Sequence, residues 1–407
     1  MKLALLFGHR VSAARGAHKR ILIVQWEYAQ AGGASAQAVS ELAGELLRHG
    51  HDVELIAQAP VGPADRAAPR GMRLTLINTR RPALTRSHPR AWGQLNFFIR
   101  VLLRAPRYAR TKDCVITLDT PSGIGLAGAL MRRLSGRRIR HVCWVLDLYS
   151  HQGLALQSPN RYARLRRLRK AIDHVAYANA SEVVVIGECM RDYLRREGVR
   201  NTITVIPIWQ DADRVFSVDA STFRERWGLH NAPCVLYSGH ATFRHPLSPL
   251  VEAARKLPEL TLVIVGTGEN IEVARVLVQR YGLENVRIQT PVPPHEVNAL
   301  LAAGDLHAVV LDSRATGTCV PSKLYAAMAV GKPVLFLGDA RCQVARDIGT
   351  SECGASVDPQ HWPDVVNTLR DWLNDPDGWA IKGQSGRRFF LENREKRVVC
   401  REWLRHL

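Results

Sequence analysis

Two α/β domains in tandem, each a doubly wound parallel sheet of the Rossmann type, are what this sequence predicts, and three observations lead there. Apolar runs of strand length alternate with amphipathic segments of helix length along nearly the whole chain. The runs are continuous rather than alternating, as strands covered on both faces require. The rhythm also restarts once, after I-P-I-W-Q-D-A-D at Ile206–Asp213, in a chain whose 407 residues exceed one typical domain. Its 46% hydrophobic and 23% charged residues are globular in composition.

Residues 1–18 read as a loose extension. Met1–Phe7 is a poor signal peptide, its apolar part too short and followed by His9, Arg10 and Arg15. Ile21–Gln25 is a buried first strand, followed by a loop with Gly32 and Gly33, a helix over about 35–49 and the strand Val53–Ala57. Further strands are expected at Leu74–Asn78, Cys114–Leu118, His141–Leu146 and Val183–Ile186. Helices fall at about 93–104, 123–134, 161–178 and 190–197. The second half repeats the pattern, with strands at Cys234–Tyr237, Leu262–Val265, Val286–Gln289, Ala308–Leu311 and Val334–Leu337. Helices at about 248–256, 271–281, 294–303 and 321–330 lie between them, and beyond Asp358 the chain is helical. The expected division is 19–210, 211–385, and a C-terminal helix over 386–407 that packs back on the first domain.

The segment Cys319–Asp339, C-V-P-S-K-L-Y-A-A-M-A-V-G-K-P-V-L-F-L-G-D, combines a helix start, a short helix and a buried strand. Pro321 suits a first helical position, where its missing N–H costs nothing. The amides of Ser322, Lys323 and Leu324 are then free donors at a positive helix end, with the Lys323 ammonium beside them, and such a place holds phosphate. An ordinary αβ unit explains the same residues.

The net charge of +19 is unevenly spread. Residues 1–210 carry 33 Lys plus Arg against 14 Asp plus Glu, a net of +19, and residues 211–407 carry 23 against 23. A basic half can face nucleic acid, anionic lipid or a phosphorylated substrate, or be a solvated face. The densest basic stretches, 132–140 and 161–170, lack a pattern of interleaved aromatics, and a recognition helix and zinc-finger spacing are missing, so no nucleic-acid partner is expected. The helix around Ala91–Arg104 carries Trp92, Phe97, Phe98 and Leu102 among arginines, suited to a membrane interface or to the core. The eight cysteines are scattered without a C-x-x-C pair, and read as buried thiols rather than disulfides or a metal site.

Taken in order, R-I-L-I-V-Q-W-E-Y-A-Q-A-G-G-A, H-V-C-W-V-L-D-L-Y-S, V-V-V-I-G-E-C-M-R-D-Y-L, T-V-I-P-I-W-Q-D-A-D, V-L-Y-S-G-H, L-V-I-V-G-T-G-E and V-P-S-K-L-Y resemble the GT-B glycosyltransferases. The resemblance is to the family 4 retaining enzymes that build bacterial exopolysaccharide and lipopolysaccharide. It implies two Rossmann-like domains facing across a cleft, a nucleotide-diphosphate-sugar donor held mostly by the second domain, and an acceptor on the first. It carries the donor diphosphate to the Pro321, Ser322, Lys323 and Leu324 segment and to Arg244, with Gly32 and Gly33 approaching from the first domain. Gly239, Gly266 and Gly268 match loops lining the donor site. Asp147, at the end of a buried strand, matches the family's aspartate near the reacting sugar.

The departures matter as much. A histidine often precedes that aspartate, and here it is Leu146; two glutamates with seven residues between them are replaced by Thr318 and Ala326. Ribose recognition must then come from elsewhere, with the Thr318 hydroxyl as one candidate. The resemblance implies a metal-independent enzyme with no cofactor, the nucleotide sugar being its substrate. With the basic half it also implies a peripheral enzyme on the cytoplasmic face of the inner membrane, using a polyprenyl-diphosphate-linked acceptor. A catalytically silent nucleotide-sugar-binding module and a nucleotide-sugar epimerase are the alternatives, the latter lacking a matching set of acid/base carboxylates.

Overall fold

The computed structural model describes residues 18–26, 34–59, 69–79, 89–155, 163–214, 220–229 and 231–407. The first half opens with β1 (Arg20–Val24), α1 (Ala34–Arg48), β2 (Asp52–Gln58), β3 (Arg73–Ile77) and α2 (Pro89–Thr111). It continues through β4 (Cys114–Leu118), α3 (Gly125–Leu134), β5 (Arg140–Val145), α4 (Tyr149–Ala155) and α5 (Ala163–Asn179), and closes with β6 (Glu182–Val185), α6 (Glu188–Arg196) and β7 (Ile203–Val205). The second half begins with α7 (Ser221–Arg226), β8 (Cys234–Ser238), α8 (Ser248–Lys256), β9 (Thr261–Val265) and α9 (Glu269–Tyr281). There follow β10 (Val286–Gln289), α10 (Val297–Ala303), β11 (Leu306–Val310), α11 (Lys323–Ala329), β12 (Val334–Leu337), α12 (Gln343–Ser351) and β13 (Gly354–Val357). Three helices end the chain, α13 (Trp362–Asn374), α14 (Pro376–Asn393) and α15 (Lys396–His406).

The strands form two parallel sheets, ordered β3-β2-β1-β4-β5-β6-β7 and β10-β9-β8-β11-β12-β13. Strands β4, β9, β11 and β12 are buried at every residue, which is why their sequences are uninterrupted apolar runs. In each sheet the order reverses once, between β1 and β4 and between β8 and β11. Open α/β sheets bind ligands outside the carboxyl ends of the strands at such a reversal.

Some elements depart from the sequence pattern. Helix α2 runs past Arg104 and through Pro106, because Val101, Ala105 and Tyr108 continue its buried stripe. The segment over 294–303 starts as a 3-10 turn, Pro294–Glu296, before α10. The short elements α4, α7, α12 and β13 have no counterpart in the sequence reading, each having too few apolar residues to show a period. Among the described residues, no helix is long and apolar enough to cross a membrane.

The two halves share one continuous core. Gln210 donates its amide to Arg394 O (3.2 Å) and accepts from Lys396 N (3.0 Å), so the outgoing and returning crossovers lie side by side. Lys396 and Arg397 hold Asp211 and Asp213 at 2.6 and 2.5 Å. Helix α15 then lies on the first half, where fully buried Trp403 meets Trp144 edge-on at 4.8 Å and Trp144 stacks on Trp209 at 5.9 Å. Trp209 Nε1 in turn donates to Glu41 on α1 at 2.7 Å.

Candidate functional site

The carboxyl ends of the two sheets face each other, and the chain leaving β5 is docked on the loop that precedes α11. Leu148 N donates to Thr318 O at 2.8 Å, and Asp147 forms a backbone bridge with Cys319. Glu188 N donates to Gln343 Oε1 at 2.7 Å further along the same seam, and Arg346 pairs with Asp192 at 3.0 Å.

Arg244 stands at the centre of this seam. It sits in the loop after β8, and its carbonyl accepts the Asp312 amide (2.7 Å), which ties that loop to the end of β11. Its Nη1 crosses the cleft to donate to Asp147 Oδ1 (3.1 Å) and to Gln152 Oε1 (3.0 Å). Both side chains of the ion pair are largely shielded, at 15% and 26% exposure. Burial raises the Asp147 pKa, while Arg244 and hydrogen bonds from Tyr149 and Gln152 oppose the rise. Asp147 thus has three donors on a carboxylate that burial alone would neutralise. Its own amide donates to Asp119 Oδ2 at 3.1 Å.

Lys323 is the second cation on the same lip. Its Nζ donates to Tyr237 OH at 2.5 Å, lies 4.0 Å from that ring's centroid, and reaches His240 O at 3.4 Å. Burial first, and the neighbouring Arg244 charge second, pull its ammonium down to about 7. The contact with Tyr237 is a cation–π arrangement that supports the charged form in part. An anion entering between Lys323 and Arg244 would relieve both cations at once.

The glycines expected to line a donor are explained here by loop packing. Gly239 (φ +117°) lies where a Cβ would fall 2.9 Å from Lys323 Cε, and Gly266 (φ +151°) where one would fall 2.0 Å from Gly239 O. Only residues without a side chain let the β8 and β9 loops approach this closely, with Gly239 N donating to Val265 O and Ala241 N to Thr267 O, both at 2.8 Å. Gly268 is the residue before α9, packed against Ala241.

Other expectations change. Pro321 is not the first helical residue: α11 begins at Lys323, Ser322 precedes it without a side-chain cap, and Pro321 is buried in the loop. The residue before it, Val320, is buried against Gly187 of the first half, so this stretch serves the seam between the halves before the helix begins. Leu324 points into the core. Thr318 is fully buried and donates its hydroxyl to Ala315 O at 2.7 Å, so it serves the cross-cleft turn rather than facing a ribose. Gly32 and Gly33 lie outside the described residues.

Asp119, Tyr149, Gln152 and Tyr237 belong to the site and were not singled out by sequence. Asp119 had the same signal as Asp147, a carboxylate ending a buried strand, V-I-T-L-D. Gln152, which also donates to Thr318 O at 3.2 Å, lies on a helix too short to show a pattern.

Two Rossmann-like domains meeting at the carboxyl ends of their sheets, cations on one lip and carboxylates on the other, are the GT-B arrangement. Residues 33–209 match the glycosyl transferase 4-like domain and residues 219–389 the glycosyl transferases group 1 family, so the chain belongs to the group 1 glycosyltransferases. The chain is 24% identical over 352 residues, 81% of its length and 86% of the relative's, to an Escherichia coli protein named as the colanic acid biosynthesis glycosyl transferase WcaI. It is 25% identical over 288 residues, 66% of its length and 70% of the relative's, to a GDP-mannose-dependent phosphatidylinositol monomannoside mannosyltransferase of Mycolicibacterium smegmatis. The fold superposes on sucrose-phosphate synthase from Thermosynechococcus elongatus with a TM-score of 0.76 at 20% identity, covering 96% of this chain and 98% of the other. The Anabaena protein HepE, solved with UDP-glucose, gives 0.71 at 17% identity, covering 96% and 100%.

Proposed function

We propose that this glycosyltransferase moves a sugar from a nucleotide-diphosphate sugar to a saccharide acceptor with retention of anomeric configuration, in the synthesis of a cell-surface polysaccharide. The observation that carries the donor part is the convergence of Arg244, in the loop after β8, and Lys323, the first residue of α11, opposite Asp147. A departing nucleoside diphosphate develops negative charge, and two preorganised cations supply its stabilisation without a metal ion. The relative named for colanic acid supports the polysaccharide setting and the one named for a phosphatidylinositol mannoside a lipid-borne acceptor, for which we take a polyprenyl diphosphate. The related names differ in nucleotide, GDP in one and UDP in another, so the base is left to experiment.

The acceptor's location is supported by α2. Its inner face, Phe97, Val101, Ala105 and Tyr108, is core, and Phe97 meets Trp26 edge-on at 5.4 Å. Of the four residues marked by sequence, Phe98 and Leu102 pack partly against that core and Trp92 faces out. Trp92 heads an outer stripe with Leu95, Ile99 and Leu103, the last 75% exposed, among Arg100, Arg104, Arg107 and Arg110. Helix α3 packs against both α2 and α5, and α5 exposes Arg164, Arg167 and Arg169. Such a face suits the anionic headgroups of the cytoplasmic leaflet, at about 1 kcal/mol per basic residue close to the surface.

Thermal shift against UDP-, GDP-, ADP- and dTDP-sugars, followed by release of the nucleoside diphosphate, tests the reading. One donor class should stabilise the protein and be turned over. Stabilisation without release by any acceptor preparation would favour the silent module, and no stabilisation by any donor would contradict the reading.

A further inference from the structure

The turn that carries the chain from β5 into α4 is tied down on every side but one. Leu148 is buried, and its amide donates to Thr318 O of the second half at 2.8 Å. Ser150 is buried and donates to Asp173 Oδ2 at 2.8 Å, and buried His151 has its Nδ1 3.3 Å from Tyr193 OH. Gln152, also buried, donates to Asp147 Oδ1 at 3.3 Å and to Thr318 O at 3.2 Å. Among residues 148–152 only Tyr149 faces outward, at 52% exposure.

That exposed ring stands at the centre of the seam. The Tyr149 hydroxyl donates to Asp147, and the Arg244 guanidinium lies 6.0 Å from the ring centroid. Helix α4 itself packs against the turn Ser313–Ala315 of the second half. The ring therefore borders the space between the carboxylate on one lip and the cation assigned to the diphosphate on the other. A single exposed aromatic is ordinary on a protein surface. One whose hydroxyl is anchored, on a turn whose other residues are all buried, is a preformed platform beside the ion pair, and a tyrosine has few torsions left to fix when a ligand lies on it.

We propose that the Tyr149 ring is the surface on which the acceptor sugar lies, with the sugar's C–H face against the ring and its hydroxyls directed into the cleft. The proposal rests on the glycosyl-transfer reading and deepens it by naming the residue that holds the acceptor. A pyranose has C–H groups on its faces and hydroxyls around its rim. The negative face of an aromatic ring attracts the C–H groups and leaves the hydroxyls free for hydrogen bonds. Position assigns the ring to the acceptor rather than to the donor, because the cations for the donor, Arg244 and Lys323, belong to the second half and Tyr149 to the first.

Initial rates with the full chain test this, using UDP-glucose and GDP-mannose as donors and prenyl-diphosphate-linked glucose, galactose and N-acetylglucosamine as acceptor probes. Tyr149→Ala should raise the acceptor KM about tenfold or more, whereas Tyr149→Phe and Tyr149→Trp, which keep a ring, should stay within about threefold of wild type. Affinity for UDP, UDP-glucose and GDP-mannose, read by calorimetry, should be unchanged in all three variants. Saturation-transfer NMR with methyl α-glucoside, α-galactoside and α-mannoside reads the platform without turnover, and transfer to the sugar C–H protons should be lost in Tyr149→Ala and kept in Tyr149→Phe. An unchanged acceptor KM in Tyr149→Ala, or no saturation transfer to any of these sugars in the wild type, would overturn the proposal. So would a Tyr149→Phe as impaired as Tyr149→Ala, which would assign the effect to the hydroxyl on Asp147, or a donor affinity that falls in Tyr149→Ala, which would put the ring under the donor. A wild type that releases no nucleoside diphosphate from any donor would instead overturn the glycosyl-transfer reading, whatever the NMR shows.

Discussion

Arg244 has two claims on it, and Asp147→Asn separates them. Without donor, its guanidinium holds Asp147 Oδ1 at 3.1 Å across the cleft; with donor, the same group would face the diphosphate. At this separation and an effective permittivity of about 20, the gross attraction is roughly 5 kcal/mol. Desolvation of two largely shielded groups cancels most of it, leaving a net on the order of 1–2 kcal/mol to be given up when Arg244 changes partner. Asparagine keeps the shape and removes the charge. Donor affinity, measured by isothermal titration calorimetry, should therefore tighten about 5- to 30-fold in Asp147→Asn, even as turnover suffers. Equal or weaker donor binding would show that Arg244 does not exchange Asp147 for the diphosphate.

Three further outcomes are expected. Burial pulls the Lys323 ammonium down to about 7, and a bound dianion would raise it, so donor binding above that pH should take up a proton and weaken by up to about tenfold per pH unit. Calorimetry in buffers of different ionisation enthalpy detects the uptake, and Lys323→Met should abolish it together with most of the affinity; a pH-independent wild type would exclude this role. Arg394 embraces buried Asp347 at 2.9 and 3.1 Å, with Tyr325 and Gln343 each at 2.8 Å. Arg394→Met strands that carboxylate and should cost about 3–5 kcal/mol in chemical denaturation, a loss below 1 kcal/mol counting against a supporting ion pair. On α2, Leu103→Glu should reduce sedimentation with anionic liposomes at low salt without changing the Tm, and unaltered sedimentation would remove α2 from the membrane-facing surface.

What the sequence shows of this molecule follows the range of the interactions involved. Strands such as β4 and β12 have the bounds their apolar runs suggest, because burial on both faces writes itself into consecutive residues. Pro106 misleads for a related reason: local chemistry argues for a stop, and the buried stripe through Val101, Ala105 and Tyr108 overrides it. Helix α11 starts two residues after Pro321, in a stretch where Val320 packs on Gly187, a residue 133 positions away that no local pattern reveals. The site was legible as residue types at strand ends, hence Asp147 and Arg244, but their pairing was not. Gln152, which joins Asp147, Arg244 and Thr318, gives no local signal at all. Thr318 shows the converse, a hydroxyl suggestive in sequence that the fold uses in its own turn.

A crystal structure of the chain with UDP or GDP would test the central claim most directly. The account predicts the diphosphate within hydrogen-bonding distance of both the Arg244 guanidinium and Lys323 Nζ, with the Arg244–Asp147 contact broken. A nucleotide bound elsewhere, or one that leaves that ion pair closed at 3.1 Å, would contradict it.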